Sequence, residues 1–192
     1  MSGYQDLARY LRSWADVPDS EMAEIRRVFR PKHAGPGELL VRAGDAPSEV
    51  HFVVDGLVRV FYVDAEGVER TKAFRAENRL VCAFSAALRG EPSQFFVETV
   101  TATSLLVATR AAFDVMVAGH PCWREVVSRI IEQLYVEEER QRWELLTNDA
   151  TTRYRHFLAE QPALAARLTQ RQIASFLRIT PESLSRIRAR LT

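Results

Sequence analysis

Between Lys32 and Arg110 apolar residues alternate with polar ones, and turn signals interrupt the pattern every few residues, as in "GPGELLVRAGD", "EVHFVVDG", "LVRVFYVDAEG", "RLVCAF" and "SLLVAT". This period of two constrains the fold more than any other feature. Seven or eight short strands without intervening helices close on one another as an antiparallel β-roll, not as a parallel α/β sheet. Inside the run, "VFYVDAEGVERTKAF" predicts a hairpin that turns at Ala65 to Gly67.

On both sides of the roll the apolar spacing changes to three and four. Upstream, "GYQDLARYLRSW" and "PDSEMAEIRRVF" predict two short helices within residues 3–30, with Asp19 or Ser20 as the N-cap of the second. Downstream, Pro121 is placed to open a long helix. Through "CWREVVSRIIEQLYVEEERQRWELLTN", Trp123, Val126, Val127, Ile130, Ile131 and Leu134 share one face. A helix of about 26 residues is roughly 39 Å long, more than a domain of this size needs for its own core. The stripe is therefore expected to serve the roll and a second copy of the chain, making a homodimer.

Charge divides the chain more sharply than its net value of +1 suggests. Residues 151–192 hold eight arginines against two acids, Glu160 and Glu182, a net of +6; residues 1–150 hold 18 basic and 23 acidic residues, a net of −5. A basic module on an acidic body points to a polyanion partner, because clustered arginines neutralise phosphates and release counterions. No apolar stretch approaches the roughly 18 to 20 residues that span a bilayer, and the charged N-terminus does not resemble a signal peptide. A cytoplasmic protein without a membrane partner is expected. Two cysteines, Cys82 and Cys122, cannot build a disulfide framework or a CxxC zinc pair, so both read as reduced, partly buried thiols and no metal is expected.

The tail "LTQRQIASFLRITPESLSRIRARLT" reads as two short helices joined by a tight turn. Thr169 and Gln172 make a capping box ahead of an apolar face of Ile173, Ala174 and Leu177. Thr180 caps a second helix, Pro181 takes its first position, and Leu184, Ile187 and Leu191 continue the buried stripe. At 100° per residue this leaves Glu182, Ser185, Arg186 and Ala189 facing outward, flanked by Ser183, Arg188 and Arg190. Such a face suits a major groove: arginine donates twice to guanine, glutamate accepts from cytosine N4, and flanking hydroxyls and arginines hold phosphates. Thr169, Arg171 and Arg178 on the preceding helix and turn complete the predicted DNA contacts.

These residues carry a resemblance. Roll, long helix and "QIASFLRITPESLSRIRAR" together resemble the Crp/Fnr family of bacterial transcription regulators, and "LLVRAGDAPSEVHFVVDGLVRVFYVDAEG" resembles that family's cyclic-nucleotide-binding-like roll. The resemblance implies an α+β chain: a roll with N-terminal helices over residues 1–118, a dimerisation helix over 119–147, and a helix-turn-helix domain over 148–192. It further implies that Glu182 and Arg186 read bases, that Ser183 and Ser185 assist, and that the operator is an inverted repeat of double-stranded DNA, with RNA polymerase a candidate further partner.

Three departures qualify the resemblance. Family members that bind cyclic nucleotides carry G-E-[LI] and, some ten residues later, R-[ST]-A, for ribose and cyclic phosphate. Here "CAFSAALRGEPSQFFVETV" puts Phe84 or Ser85 at the glutamate and Gln94 near the phosphate arginine, and the Gly90-Glu91 pair precedes Pro92 at the cassette's tip. An anionic phosphate buried without a cation is costly, so the expected effector is an unidentified small molecule other than cyclic AMP, in a pocket of Val81, Phe84, Ser85, Gln94, Phe95 and Val97 with Arg89 as its one basic residue. Arg178 stands where the turn usually has glycine, which predicts either a left-handed arginine or a differently shaped turn. Relatives usually add a two-stranded wing after the recognition helix, and with the residues running to Thr192 a domain lacking that wing is expected.

Other chemistries find no support in the residues. No cysteine cluster suits an iron–sulfur sensor, and His33, His51, His120 and His156 are scattered and read as surface or capping groups. A cupin-like enzyme needs an H-x-H motif where "EVHFVVD" has one histidine, and no nucleophile constellation is present, so no enzyme is expected. A ligand-sensing module that regulates a protein partner without binding DNA is the remaining alternative.

Overall fold

Two four-stranded antiparallel sheets form the roll, and their strands come from the period-two run. In a computed structural model, which describes residues 2–191, the strands are β1 (Arg30–Ala34), β2 (Leu39–Val41), β3 (Glu49–Asp55), β4 (Val58–Val63), β5 (Glu69–Arg75), β6 (Arg79–Val81), β7 (Phe96–Thr99) and β8 (Thr103–Thr109). One sheet has the order β1-β8-β3-β6 and the other β2-β7-β4-β5. In the first, His51 lies opposite Val107 of β8 and Val81 of β6. The predicted hairpin joins β4 to β5: the Gly67 amide donates to the Asp64 carbonyl, the Val68 amide to Asp64 Oδ1, and Gly67 takes a φ of +78°.

Gly56, in the tight connection between β3 and β4, shows how narrowly the sheets are packed. Its φ is +112°, and a Cβ there would lie 2.5 Å from Thr103 Oγ1 and 2.8 Å from Thr103 Cα. Only glycine meets both conditions.

Helices α1 (Ser2–Arg12) and α2 (Asp19–Val28) precede the roll. Neither Asp19 nor Ser20 caps α2; Pro18 holds the N-cap position, and Asp19 is the first helical residue. Two helices went unread inside and after the strands: α3 (Phe84–Arg89) and α4 (Arg110–Gly119), the latter capped by the Thr109 hydroxyl, which accepts from the Ala112 amide. Then comes α5 (Pro121–Thr147), one continuous helix of 27 residues that opens at the expected proline.

Beyond it lie α6 (Ala150–Glu160), α7 (Pro162–Ala165), α8 (Gln170–Phe176) and α9 (Pro181–Leu191). Asp149 caps α6 by accepting from the Thr152 amide. That bond, with the hydroxyl of Thr152, holds the Asp149 carboxyl below its usual pKa.

The compact units cut across the sequence divisions at 118 and 147. One comprises the residues up to Val60 with Phe74–Gln133, and the other Phe61–Ala73 with Leu134 onward. The far end of the β4–β5 hairpin thus belongs with the C-terminal helices, and α5 contributes to both units.

Candidate nucleic-acid interface

The C-terminal core is small and, apart from the hydroxyl of Tyr154, apolar, made by Tyr154, Phe157, Ile173, Ala174, Leu177, Leu184 and Ile187. Every residue named for the buried stripe lies in it except Leu191, which is 38% exposed because the core ends one turn earlier, at Ile187. Burying Leu184 and Ile187 on one side of α9 turns Glu182, Ser185, Arg186, Ala189 and Arg190 to the outside, as the helical period predicts. Arg188 is exposed as well, and Ser183 is half-buried.

Local bonds set the start of this helix. Thr180 Oγ1 accepts from the Ser183 amide at 3.2 Å and donates to the Ser183 hydroxyl, whose oxygen also accepts from Arg186 Nη2 at 3.3 Å. The Arg186 guanidinium is therefore held along the outward face. Glu182 sits in the first turn, where its own backbone amide, then the Thr180 hydroxyl and the charge of Arg186, hold its carboxyl below the usual range. It is ionised at neutral pH, the state that accepts hydrogen bonds.

Thr169 forms the predicted capping box: its hydroxyl accepts from the Gln172 amide while its own amide donates to Gln172 Oε1 at 2.9 Å. Arg171 is exposed on the following turn. Arg178 resolves the two readings of the turn in favour of a left-handed residue, with φ of 56°. Its amide donates to Ser175 O and that of Ile179 to Ala174 O, the paired bonds that end a helix around a left-handed residue, with arginine in the glycine position.

The sequence did not reveal how α8 is braced. Ser175 Oγ accepts from both the amide and the hydroxyl of Thr71, at 3.0 and 2.9 Å, and donates to the Glu69 carbonyl. Lys72 pairs with Glu138 at 2.7 Å within the same unit. A cleft of about 290 Å3 lies beside these contacts, lined by Tyr62, Lys72, Arg142, Arg153 and Arg178 among others.

The α5 stripe requires a correction. Trp123, Val126 and Ile130 are 1%, 2% and 4% exposed within the roll's own unit, around a small apolar cavity shared with Leu11, Phe84 and Phe113. They are core residues and have no surface for a partner. Val127, Ile131 and Leu134 remain half-buried. The large apolar residues that α5 does expose lie further on, at Tyr135, Val136, Trp143, Leu145 and Leu146.

The residues named for an effector pocket differ in exposure. Val81, Phe95 and Val97 are buried, Phe84 is half-buried, and Ser85, Arg89 and Gln94 are exposed. Arg89, the candidate cation, pairs with Glu91 at 2.8 Å, and Gly90 between them is the left-handed C-cap of α3. The roll instead buries a different arginine, Arg59 on β4, paired with Glu98 of β7 at 3.1 Å. His51 is also buried, not on the surface as its scattered position suggested; its Nε2 donates to Glu49 Oε2 at 3.1 Å, and Nδ1 has no partner. Burial pushes the Cys82 and Cys122 thiols above their usual pKa, so neither is a ready thiolate nucleophile.

Comparison with known proteins fits this geometry. Residues 31–120 match the cyclic nucleotide-binding domain family. A rice (Oryza sativa subsp. japonica) potassium channel, AKT2, is 30% identical over 129 residues; the match covers 67% of this chain, which spans only 15% of the channel's length. Among solved structures, FixK2 of Bradyrhizobium japonicum has a TM-score of 0.74 at 20% identity over 85% of this chain and 84% of its own. A Eubacterium rectale regulator described as of the Crp/Fnr family has 0.75 at 15% identity, over 93% and 85%. The catabolite activator protein of Thermus thermophilus has 0.60 at 20%, over 95% and 86%. At these identities the likeness is one of fold: a β-roll of two antiparallel sheets, a long helix and a C-terminal helical region, elements that the Crp/Fnr structures share.

Proposed function

We propose that this chain is a homodimeric, sequence-specific DNA-binding regulator whose roll senses a small molecule other than cyclic AMP, and that it is not an enzyme. The observation that carries the reading is the outward face of α9. An ionised glutamate, two serines and an arginine held by Ser183 stand on one side of a helix whose other side is sealed in an apolar core. Nothing in the packing of that unit requires a face of this chemistry, and a major groove does. The neighbours in fold are transcription regulators, which supports the same reading.

Dimerisation through α5 is supported by the apolar residues exposed beyond Leu134. Two recognition helices related by a two-fold axis then reach successive major grooves about 34 to 36 Å apart. An effector unlike cyclic AMP is supported by the sequence of the cassette segment, which has Gln94 near the place of the phosphate arginine and whose one arginine, Arg89, is exposed and pairs with Glu91.

The test is selection from random duplexes with the whole chain, followed by affinity measurements at several salt concentrations. The expected operator is an inverted repeat. On it, Arg186→Ala costs about 1 to 3 kcal/mol of binding while affinity for scrambled duplex is largely kept; Arg190→Ala weakens both duplexes alike and lowers the salt slope by about one. A pool that does not enrich, or equal losses for Arg186→Ala on both duplexes, overturns the proposal.

A further inference from the structure

We propose that Glu21, His120 and Cys122 form a binding site for a borderline-soft divalent cation, Zn2+ foremost, where α2 meets the first turn of α5. One ligand atom from each residue, a carboxylate oxygen, a ring nitrogen and the sulfur, lies within 4.8 Å of the other two. Zinc bonds of about 2.0 to 2.3 Å place tetrahedral ligands roughly 3.4 to 3.8 Å apart, so side-chain movements of about 1 Å complete the set. Thiolate with imidazole and carboxylate is a donor set for zinc, not for magnesium or calcium, which take oxygen alone.

The surroundings already orient these groups. Trp123, 1% exposed, donates its indole N–H to Glu21 Oε2 at 2.8 Å, fixing the carboxylate and leaving Oε1 for the ion. A buried donor that aims a ligating carboxylate is a common outer support of metal sites. No lysine or arginine is paired with Glu21 among the described residues, although Asp16 also bears electrostatically on the Cys122 sulfur.

Each ligand has an ordinary structural role, and those roles do not account for the cluster. His120 Nδ1 caps α5 by accepting from the Cys122 amide at 3.2 Å, a bond the ring gives up when either of its nitrogens takes a metal, and Glu21 satisfies the indole. Neither role calls for a thiol between them. On binding, Zn2+ displaces the thiol proton to solvent and takes sulfur, nitrogen and oxygen as ligands, with water in the open position. The ion would tie α2 to the foot of α5, both within the roll's unit.

Untagged full-length protein, reduced and stripped with a chelator, is titrated with Zn2+ against a chromophoric competitor and, separately, with Co2+. About one equivalent of Zn2+ binds, and the Co2+ form shows a thiolate-to-metal charge-transfer band in the near ultraviolet. Cys122→Ser abolishes that band, and Glu21→Gln weakens Zn2+ at least about tenfold. Cys82→Ser and His156→Gln change neither. Failure of the parent chain to retain Zn2+, or a parent Co2+ spectrum lacking the sulfur band, overturns the proposal. That readout stands even if Cys122→Ser does not fold.

Discussion

The two compact units place their polar groups in opposite ways. The C-terminal unit keeps its core of seven residues free of charged groups and turns the charges of α9 outward, whereas the roll draws polarity inward, burying His51 completely and Arg59 to 7% exposure. A unit with a simple core and a charged face loses stability through lost packing and loses function through its surface. A unit with buried ionisable groups loses stability through proton and partner balance as well. The difference can be attacked from either side.

The largest effect is expected in the small core. Leu184 is fully buried among the seven residues, so Leu184→Ala removes a large share of what holds α8 and α9 together, at about 3 to 4 kcal/mol. Calorimetry should show the C-terminal unit melting early, with DNA binding lost, while the roll's transition stays in place. A single transition lowered as a whole would mean that the two units fold as one.

Gly56→Ala strikes the roll at the matching point. The substitution forces a Cβ against Thr103 at a φ of +112°, which costs about 2 to 3 kcal/mol. Here the roll's transition should fall and the C-terminal one remain. A stability change under about 0.5 kcal/mol would show that the β3–β4 connection relaxes freely.

The long helix joins both patterns and gives the next effect. Tyr135 and Leu146 are 66% and 77% exposed, eleven residues apart on one side of α5. Tyr135→Glu with Leu146→Glu should weaken the proposed dimer at least about tenfold by light scattering without lowering the melting temperature of either unit. Ile130→Glu should instead unfold the roll, because Ile130 is core. A folded monomer from Ile130→Glu would restore the seam that periodicity suggested.

How far the sequence could be read follows from the same contrast. The face of α9 was legible because one helix, one period and two caps decide it, all within a dozen residues. The face of α5 was legible too, but not its partner: spacing says that Trp123, Val126 and Ile130 are buried and is silent on whether against the roll or a second chain. In β3, Val50, His51, Phe52 and Val53 are all buried, so the alternation of two carries no information about inward and outward, and His51 passed for a surface group. Arg59 was hidden for the same reason in β4. The effector pocket was placed by counting along strands, and the count could not foresee α3 or the pairing of Arg89 with Glu91. Glu21 lies far in sequence from His120 and Cys122, so only the fold brings the three together.

His51 gives the smallest and most selective effect. Because Nε2 donates to the Glu49 carboxylate, neutral His51 carries its proton there and leaves Nδ1 a buried lone pair without a partner. Protonating the ring would place a positive charge in the buried interior of the sheet, a cost that a hydrogen bond to the Val81 backbone only partly offsets. Burial lowers the histidine's pKa, with the charge of Lys32 acting in the same direction and Glu49 and the Val81 backbone opposing both. The unfolded chain takes up this proton near pH 6.5, so below that value it binds more protons than the folded chain. Stability is then fully present above about pH 6.5 and declines as the pH falls from there toward the lowered folded value. The melting temperature of the roll should drop a few degrees between pH 7.5 and 5.5, and His51→Leu, which replaces the ring with an apolar side chain of similar volume, should flatten that slope. The C-terminal transition, with no ionisable group in its core other than the phenol of Tyr154, should show no His51-dependent change. An unaltered slope in the variant would move the roll's acid sensitivity to another group.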